Sequence, residues 1–233
     1  MTRERRSSDE PTNRSEVDSV IDGAHAEHLS RGRAVWDRWS DHYGLSESDF
    51  EPMRETAMDY LELEPGDGVI DIGCGPGVNF ERIRSDVGPD GTLVAVDYSP
   101  KMIEKARARV SDHGWGNVDV IRADATTAEL GEGYDAAIAT LSMGVMPDCK
   151  KAAANVYRSL APGGRFVVFD LRSVPSGPLR ILNPLLRGFL YWFANWNAEC
   201  DVIDSLEDVF ERVDVVETYA AGIGYTVLAT KSE

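Results

Sequence analysis

The sequence predicts an α/β fold in which a largely parallel sheet is covered by helices on both faces. From about residue 68 onward, short apolar runs alternate with segments of helical periodicity, which is typical of parallel strands buried on both sides. The seven predicted strands are 68–72, 92–97, 118–122, 134–140, 165–170, 212–218 and 224–230. Helices are predicted near 77–86, 100–112 and 148–160. Because only a short segment with Gly222 and Gly224 separates the last two strands, we expect an antiparallel hairpin at one edge of the sheet.

Two helices are predicted before the sheet, over residues 26–43 and 50–62. The apolar residues of the first recur at intervals near three and four, which indicates an amphipathic helix; they are Val35, Trp36, Trp39 and Tyr43. Residues 1–24 are mostly polar and are predicted to form a disordered tail. Residues 25–233 then suit a single domain.

The charge of the chain is strongly acidic, with a formal net charge of −16. This argues against DNA or RNA as the main partner, because a phosphate backbone is met by clustered Lys and Arg. Only five of the 24 basic residues are Lys. An acidic surface that is poor in Lys is typical of proteins from a high-salt cytoplasm, and the alternative is an ordinary acidic protein.

The cysteines are three in number, Cys74, Cys149 and Cys200, and they lie far apart in the sequence. Their spacing predicts neither a disulfide framework nor a metal site. The first residues contain no apolar stretch of the secretory type. We therefore expect a protein of the reducing cytoplasm that binds no metal.

A glycine-rich loop follows the first predicted strand. The run VIDIGCGPG brings Asp71 directly before Gly73, Gly75 and Gly77, and a predicted helix comes next. Glycines are required where the backbone turns tightly and a ligand lies against it. A plain strand-to-helix turn is the alternative, although such a turn rarely needs three glycines.

Two further carboxylates are predicted at strand ends. Asp97 lies 20 residues after Gly77, where a carboxylate can accept hydrogen bonds from both hydroxyls of a ribose. Asp124 ends the third strand and can accept from an adenine amino group, with the backbone of Ala125 against the ring. The alternative for Asp97 is a helix-capping role, and the alternative for Asp124 is a cap or a solvated residue at the strand end.

Taken in order, five sequence fragments resemble the family of class I S-adenosylmethionine-dependent methyltransferases. They are VIDIGCGPG, VDYSP, RADA, YDAAIATLSM and RSLAPGGRFVVFDL, and the similarity covers about residues 35–172. The resemblance implies a Rossmann-like sheet of seven strands, mostly parallel, with the last strand antiparallel. It also implies S-adenosylmethionine as the cofactor.

The resemblance further implies roles for individual residues. Asp71 and the glycine loop would hold the methionine end, Asp97 and Tyr98 the ribose, and Asp124 and Ala125 the adenine side. The N-terminal helix with Trp36 and Trp39 resembles the helix that covers the cofactor, and Tyr43 on it is a further candidate contact. Ser142 and Met143 are expected where the cofactor meets the acceptor.

Methyl transfer from an activated sulfonium mainly requires positioning, so no protein nucleophile is needed. Asp170, at the end of the fifth strand, is the candidate catalytic base. A solvated carboxylate at the strand end is the alternative. No Asn-Pro-Pro-Tyr motif follows the fourth strand, which argues against methylation of DNA amino groups.

Residues 178–197 are apolar and aromatic and lie within a helical insert expected at about 175–210. They are predicted to form either a lid over an apolar acceptor or an ordinary core helix. Interruptions such as Arg180, Pro184 and Arg187 argue against a membrane span. The chain resembles the branch with quinone C-methyltransferases and phospholipid N-methyltransferases. We therefore expect a small or lipid-like acceptor and a monomer or homodimer, and a transient contact with a membrane surface stays open.

Two other functions are alternatives to methyl transfer. A nicotinamide-dependent oxidoreductase would show Gly-x-Gly-x-x-Gly, but the sixth position counted from Gly73 is Val78. The chain also lacks a Tyr-x-x-x-Lys pair suited to hydride chemistry. A protein that binds S-adenosylmethionine without catalysis would carry the same binding motifs, so only an activity measurement separates it from an enzyme.

Overall fold

The structure is a computed structural model that describes residues 14–40 and 50–233. The helices in this part of the chain are α1 (Arg14–Trp39), α2 (Glu51–Asp59), α3 (Phe80–Val87), α4 (Pro100–His113), α5 (Cys149–Ser159), α6 (Asn183–Ala194) and α7 (Val202–Glu207). The strands are β1 (Gly68–Ile72), β2 (Thr92–Asp97), β3 (Val118–Arg122), β4 (Tyr134–Thr140), β5 (Leu160–Leu171), β6 (Arg212–Tyr219) and β7 (Gly224–Thr230). Short 3-10 turns span Met143–Val145, Pro178–Leu182 and Ala220–Gly222.

The seven strands form one sheet in the order β3-β2-β1-β4-β5-β7-β6. Strands β1 to β5 pair in parallel, whereas β7 is antiparallel to both β5 and β6. The predicted fold class and the edge hairpin are confirmed. The strand order reverses between β1 and β4, and such a reversal opens a crevice at the carboxyl ends of the strands.

Both faces of the sheet are packed, as the continuous apolar strands predicted. Along β1, Ile70 and Ile72 enter one core cluster, while Val69 enters the other with Phe80 and Ile83 of α3. All five side chains are fully buried. A strand buried on both faces can meet a ligand only beyond its ends, and in sheets of this kind ligands bind outside the carboxyl ends.

Helix α3 begins at Phe80, three residues later than predicted, because Gly73, Gly75 and Gly77 all have positive φ, which a right-handed helix excludes. Helix α1 begins at Arg14, so residues 14–24 of the expected tail are helical here. Residues 1–13 and 41–49 lie outside the described residues. The tail prediction for 1–13 and the Tyr43 prediction therefore remain predictions.

The predicted insert contains the 3-10 turn 178–182, α6 and α7, and α6 is not a core helix. Leu190 is its only buried residue, and the side chain of Leu185 is 75% exposed. Its inner face packs on α1, where the Trp39 indole donates to the Phe193 carbonyl at 3.0 Å. The core-helix alternative is therefore wrong for α6. No helix in residues 14–40 and 50–233 is long and apolar enough to cross a membrane.

Cys149 and Cys200 form a disulfide, which corrects the expectation of unpaired cysteines. Cys149 begins α5 and Cys200 shortly precedes α7, so helix packing brings together two residues that are 51 apart in sequence. Sequence spacing carries no information about that packing. Cys74 is free and buried beneath the glycine loop.

The net charge of −16 predicts that salt stabilises the protein. Like charges on a compact surface repel, and in 1 M salt the Debye length falls to about 3 Å. The melting temperature should therefore rise between low and molar KCl, as followed by circular dichroism. Equal melting temperatures at the low and the molar KCl concentration would contradict the high-salt interpretation.

Candidate functional site

A pocket lies at the carboxyl ends of β1 to β4, beneath α1. Its volume is about 800 Å³, including the space at its open mouth. The sheet side is lined by Gly73, Gly75, Val96, Asp97, Tyr98, Ser99, Met102, Ala123, Asp124, Ala125, Thr140, Leu141 and Ser142. The opposite side is lined by His28, Leu29, Gly32, Arg33 and Trp36 of α1 and by Val145, Met146 and Pro147.

The glycine loop forms the floor of this pocket. Gly73, Gly75 and Gly77 have φ of +67°, +55° and +83°. A Cβ atom on Gly73 would lie 2.4 Å from the Cβ atom of Ser142, so no larger residue fits. Gly73 and Gly75 line the pocket, whereas Gly77 packs against the ring of Phe80 and turns the chain into α3.

Asp97 is fixed on the pocket wall by two backbone donors. Its Oδ2 atom accepts from the Gly75 amide at 2.9 Å, and its Oδ1 atom accepts from the Ser99 amide at 2.7 Å. Burial raises the pKa of Asp97 to about 6, against the lowering effect of these donors. The N-cap of α4 is Ser99, whose Oγ atom accepts from the Met102 amide. The capping alternative for Asp97 is therefore wrong.

Asp124 and its neighbours form the next part of the wall. The Asp124 carboxylate accepts from the Thr126 amide at 2.9 Å through Oδ1, and its Oδ2 atom lies 2.6 Å from Nε2 of His25 on α1. Ala125 lines the pocket and its carbonyl accepts from Asn155 at 2.9 Å. Sequence reasoning missed His25, because 99 residues separate it from Asp124 and no motif contains it.

Asp71 lies behind the pocket rather than in it, which corrects the expectation of a direct ligand contact. It is fully buried, and the Asn79 amide nitrogen lies 3.2 to 3.3 Å from its two carboxylate oxygens. The same nitrogen lies 3.2 Å from the hydroxyl of Thr140, which lines the pocket. Burial raises the pKa of Asp71 to about 7, opposed by the Asn79 hydrogen bond and assisted by the charge of Asp97.

Asn79 was missed by the sequence analysis, although a signal existed. It stands two residues after Gly77, directly before the apolar start of α3, and it is completely buried. A polar side chain in that place needs partners inside the protein. Through Asn79, Asp71 positions the loop and Thr140 from behind.

Asp170 does not reach the pocket rim, contrary to expectation. It is 3% exposed, and its two oxygens accept from the amides of Gly144 at 2.8 Å and Leu171 at 2.7 Å. Burial raises its pKa to about 6. Both the base and the solvated strand-end interpretations assumed access to solvent or ligand, which this burial excludes. Asp170 instead fastens the turn Met143–Val145 beneath the pocket.

Ser142 is placed as predicted, between the glycine loop and the opposite side of the pocket. Its hydroxyl donates to the Ile72 carbonyl at 2.7 Å. The preceding Leu141 has φ of +55°, which non-glycine residues rarely adopt. This costly conformation aims the chain after β4 into the pocket. Met143 is buried in the core and does not line the pocket, so its predicted position at the junction is wrong.

Helix α1 covers the pocket through Trp36, while Trp39 turns away and packs on Phe193 in a tilted ring contact with centroids 4.9 Å apart. The Ser99 hydroxyl donates to Asp37 of α1 at 2.7 Å, which ties the helix to the end of β2. Trp36 thus lies where a cover over the cofactor is predicted, and its contact with the cofactor stays a prediction. Within the described ranges, no group of His, Cys, Asp and Glu side chains is arranged to hold a metal ion.

The buried Asp71 gives a testable pH dependence. Its folded pKa of about 7 lies above the unfolded value of 3.8, so its contribution to stability is greatest below pH 4 and is lost as pH rises through 7. An Asp71→Asn variant should therefore gain melting temperature relative to the parent protein as pH rises from 5 to 8.

The matched control is Asp90→Asn, which removes an exposed carboxylate of equal charge. Its difference in melting temperature from the parent should be small and constant over the same pH range. A D71N variant that loses the same stability at every pH would contradict the assignment of the buried charge.

Comparisons with known proteins all indicate the same family. Residues 69–164 match the model of a methyltransferase domain. The chain is 32% identical over 185 residues to aklanonic acid methyltransferase DauC of Streptomyces sp. strain C5, covering 77% of this chain and 84% of that protein. It is 30% identical to nocamycin O-methyltransferase of Saccharothrix syringae, covering 63% and 55%. It is 28% identical to a ubiquinone/menaquinone biosynthesis C-methyltransferase of Hahella chejuensis, covering 52% and 49%.

The fold agrees with a solved S-adenosylmethionine-dependent methyltransferase from Aquifex aeolicus, with a TM-score of 0.57 and 20% identity. That similarity covers 76% of this chain and 88% of the other. The chain spans about half of the length of the nocamycin and quinone relatives. On the extent of the match to the aklanonic acid enzyme and on the glycine loop, Asp97 and Asp124 at one pocket, the chain belongs to the class I S-adenosylmethionine-dependent methyltransferases.

Proposed function

We propose that this protein transfers a methyl group from S-adenosylmethionine to a small, largely apolar acceptor of quinone-like type. One observation carries the proposal: beside the wall with Asp97 and Asp124, the pocket has a second side that is mostly apolar. That side consists of Leu29, Trp36, Val145, Met146 and Pro147, together with His28, Gly32 and Arg33. Relatives named for acting on aklanonic acid and in ubiquinone and menaquinone biosynthesis support the same acceptor class.

The sheet side of the pocket fits the cofactor. Gly73 and Gly75 present bare backbone, because a Cβ atom on Gly73 has no space beside Ser142. The carboxylates of Asp97 and Asp124 offer acceptor oxygens for ribose hydroxyls and an adenine amino group. When bound, the cofactor supplies a methyl group on a sulfonium, which is already activated for transfer.

The remaining work of the protein is positioning. Leu141 and Ser142 fix the chain between the two sides of the pocket, and α1 excludes water from above. The Nε2 atom of His28 on α1 lies 2.8 Å from the carbonyl oxygen of Val145. This contact links the helix that covers the pocket to its apolar side. Holding two reactants in line can supply most of the rate acceleration of such a transfer. With Asp170 buried, no step in this proposal depends on it.

A pair of glycine variants tests the cofactor site. Gly73 and Gly88 have nearly equal φ, +67° and +68°, but only Gly73 faces a neighbour in the pocket. Gly88→Ala should lose stability from backbone strain alone, whereas Gly73→Ala should lose more, because its Cβ atom would also lie 2.4 Å from the Cβ atom of Ser142. Only Gly73→Ala should also weaken binding of S-adenosylhomocysteine, by about tenfold or more, in calorimetry. Equal affinities in the two variants would remove the glycine loop from the binding site.

The acceptor is tested by transfer of a labelled methyl group to a panel of demethylated quinones, aromatic acids and phosphatidylethanolamine vesicles, with mass spectrometry of the product. Trp36→Ala, which opens the apolar side, should raise the KM for the acceptor with little change in melting temperature. Trp39→Ala, on the same helix but packed on Phe193, should mainly lower the melting temperature and should change the KM for the acceptor little.

Labelling of the phospholipid in preference to every quinone would contradict the acceptor class proposed. Binding of S-adenosylhomocysteine without transfer to any extracted metabolite would favour the non-catalytic alternative.

A further inference from the structure

The outer surface of the insert carries an exposed apolar patch. Among residues 23–40 and 50–233, all large apolar side chains that are exposed lie within 179–192, apart from Val215. We call this patch the apolar face; it consists of Leu179, Ile181, Leu182, Leu185, Phe189 and Trp192, whereas the exposed Tyr191 contacts α1. Monomeric soluble proteins rarely expose such a continuous surface unless something binds there.

The apolar face follows one side of the 3-10 turn and α6. Ile181, Leu185, Phe189 and Trp192 are spaced by four, four and three residues and are 82%, 75%, 53% and 62% exposed. The other side of the helix is used within the protein, because Leu190 is buried and Phe193 packs on Trp39 of α1. The exposed side is therefore an unpartnered face of a helix that is already anchored.

The segment that carries the apolar face is basic, whereas the chain as a whole is acidic. Residues 171–198 contain no Asp or Glu and carry Arg172, Arg180 and Arg187, although the chain has a net charge of −16. Arg180 and Arg187 are exposed within the insert. Acidic residues are thus absent from one segment of the chain, and the same segment carries the exposed aromatic and aliphatic side chains.

We propose that the apolar face docks on an anionic lipid bilayer, with α6 lying in the interface. An apolar face with Trp, Phe and Leu, flanked by Arg and free of acidic residues, is the pattern of interfacial helices that bind anionic lipid. A second copy of the chain fits less well, because a symmetric contact would bring Arg180 and Arg187 against the same arginines, whereas an anionic surface pairs with them. The proposal goes beyond the proposed function, since docking requires neither cofactor nor acceptor.

Docking at this face would bring the cover of the pocket close to the bilayer. Helix α6 contacts α1 through the Trp39 and Phe193 rings and through a hydrogen bond from Arg31 to the Tyr191 hydroxyl. His28, Gly32 and Trp36 of α1 line the pocket. The helix that rests on the lipid therefore contacts the helix that closes the site.

Co-sedimentation with vesicles tests the apolar part of the proposal. The full chain at low salt should bind vesicles of phosphatidylglycerol and phosphatidylcholine. A Leu185→Glu/Trp192→Glu variant should bind about tenfold more weakly or worse, because charges replace the apolar contact. Val215→Glu, at the exposed apolar position on β6 outside the insert, is the matched control and should bind like the parent protein. Melting curves verify that every variant is folded.

The charge part is tested with Arg180→Glu/Arg187→Glu, which should lose the preference for anionic over pure phosphatidylcholine vesicles. Lys150→Glu/Lys151→Glu on α5 is the control with the same charge change and should keep that preference. Absence of parent binding to anionic vesicles would overturn the proposal, as would equal losses in both charge variants. A dimer in light scattering that Leu185→Glu dissociates, without vesicle binding, would assign the face to a second copy instead.

Discussion

The carboxylate of Asp97 accepts hydrogen bonds from the amides of Gly75 and Ser99, which joins the glycine loop to the start of α4 at one point. The amides of Gly73 and Cys74, which donate to the Val96 carbonyl, hold the same loop on β2. Gly75 belongs to the loop after β1, and Ser99 begins α4 after β2. The Ser99 hydroxyl in turn donates to Asp37, so the cover helix α1 is tied to the same point. Movement of the loop, of α4 or of α1 therefore strains a single carboxylate, which keeps the pocket preorganised for a ligand.

This arrangement lowers the stability of the protein at neutral pH. Burial raises the pKa of Asp97 and Asp170 to about 6 and that of Asp71 to about 7, so ionising any of them costs free energy in the folded state. Asp97 and Asp170 recover part of that cost through backbone donors, and Asp71 does so through Asn79. The concentration of carboxylates at one edge of the sheet is consistent with a binding site there. Such a site lowers the stability of the fold but keeps the ligand-binding groups preorganised.

Much of the fold was predictable because β-strands buried on both faces leave a strong apolar signal and glycines mark the turns between elements. The boundaries of β1 to β4 agree with prediction, and the glycine loop, Asp97 and Asp124 meet at one pocket because parallel strands end at the same edge. The placement of Asp170 failed for a specific reason. A position at a strand end does not reveal whether a turn from another part of the chain, here Met143–Val145 after β4, will fold over it.

The other misses share one cause, which is that they depend on contacts between distant segments. His25 meets Asp124, and Cys149 meets Cys200, only after helices outside the sheet have packed. No periodicity encodes those pairs. Asn79 is different, since its polarity inside an apolar helix start was visible in the sequence and required a buried partner.

The different roles of α1 and α6 could not be predicted from the sequence either, because both helices carry aromatic residues at helical spacing. Helix α1 directs Trp36 to the pocket and Trp39 to α6, so one of its apolar sides lines the ligand pocket and the other packs against protein. Helix α6 uses one side against α1 and leaves the other exposed. Since the exclusion of acidic residues extends over 171–198 and not over α1, charge rather than hydrophobicity distinguishes the helix that covers the ligand from the helix that faces outward. In an acidic protein, a segment free of carboxylates is therefore as informative about an outward-facing surface as the apolar residues within it.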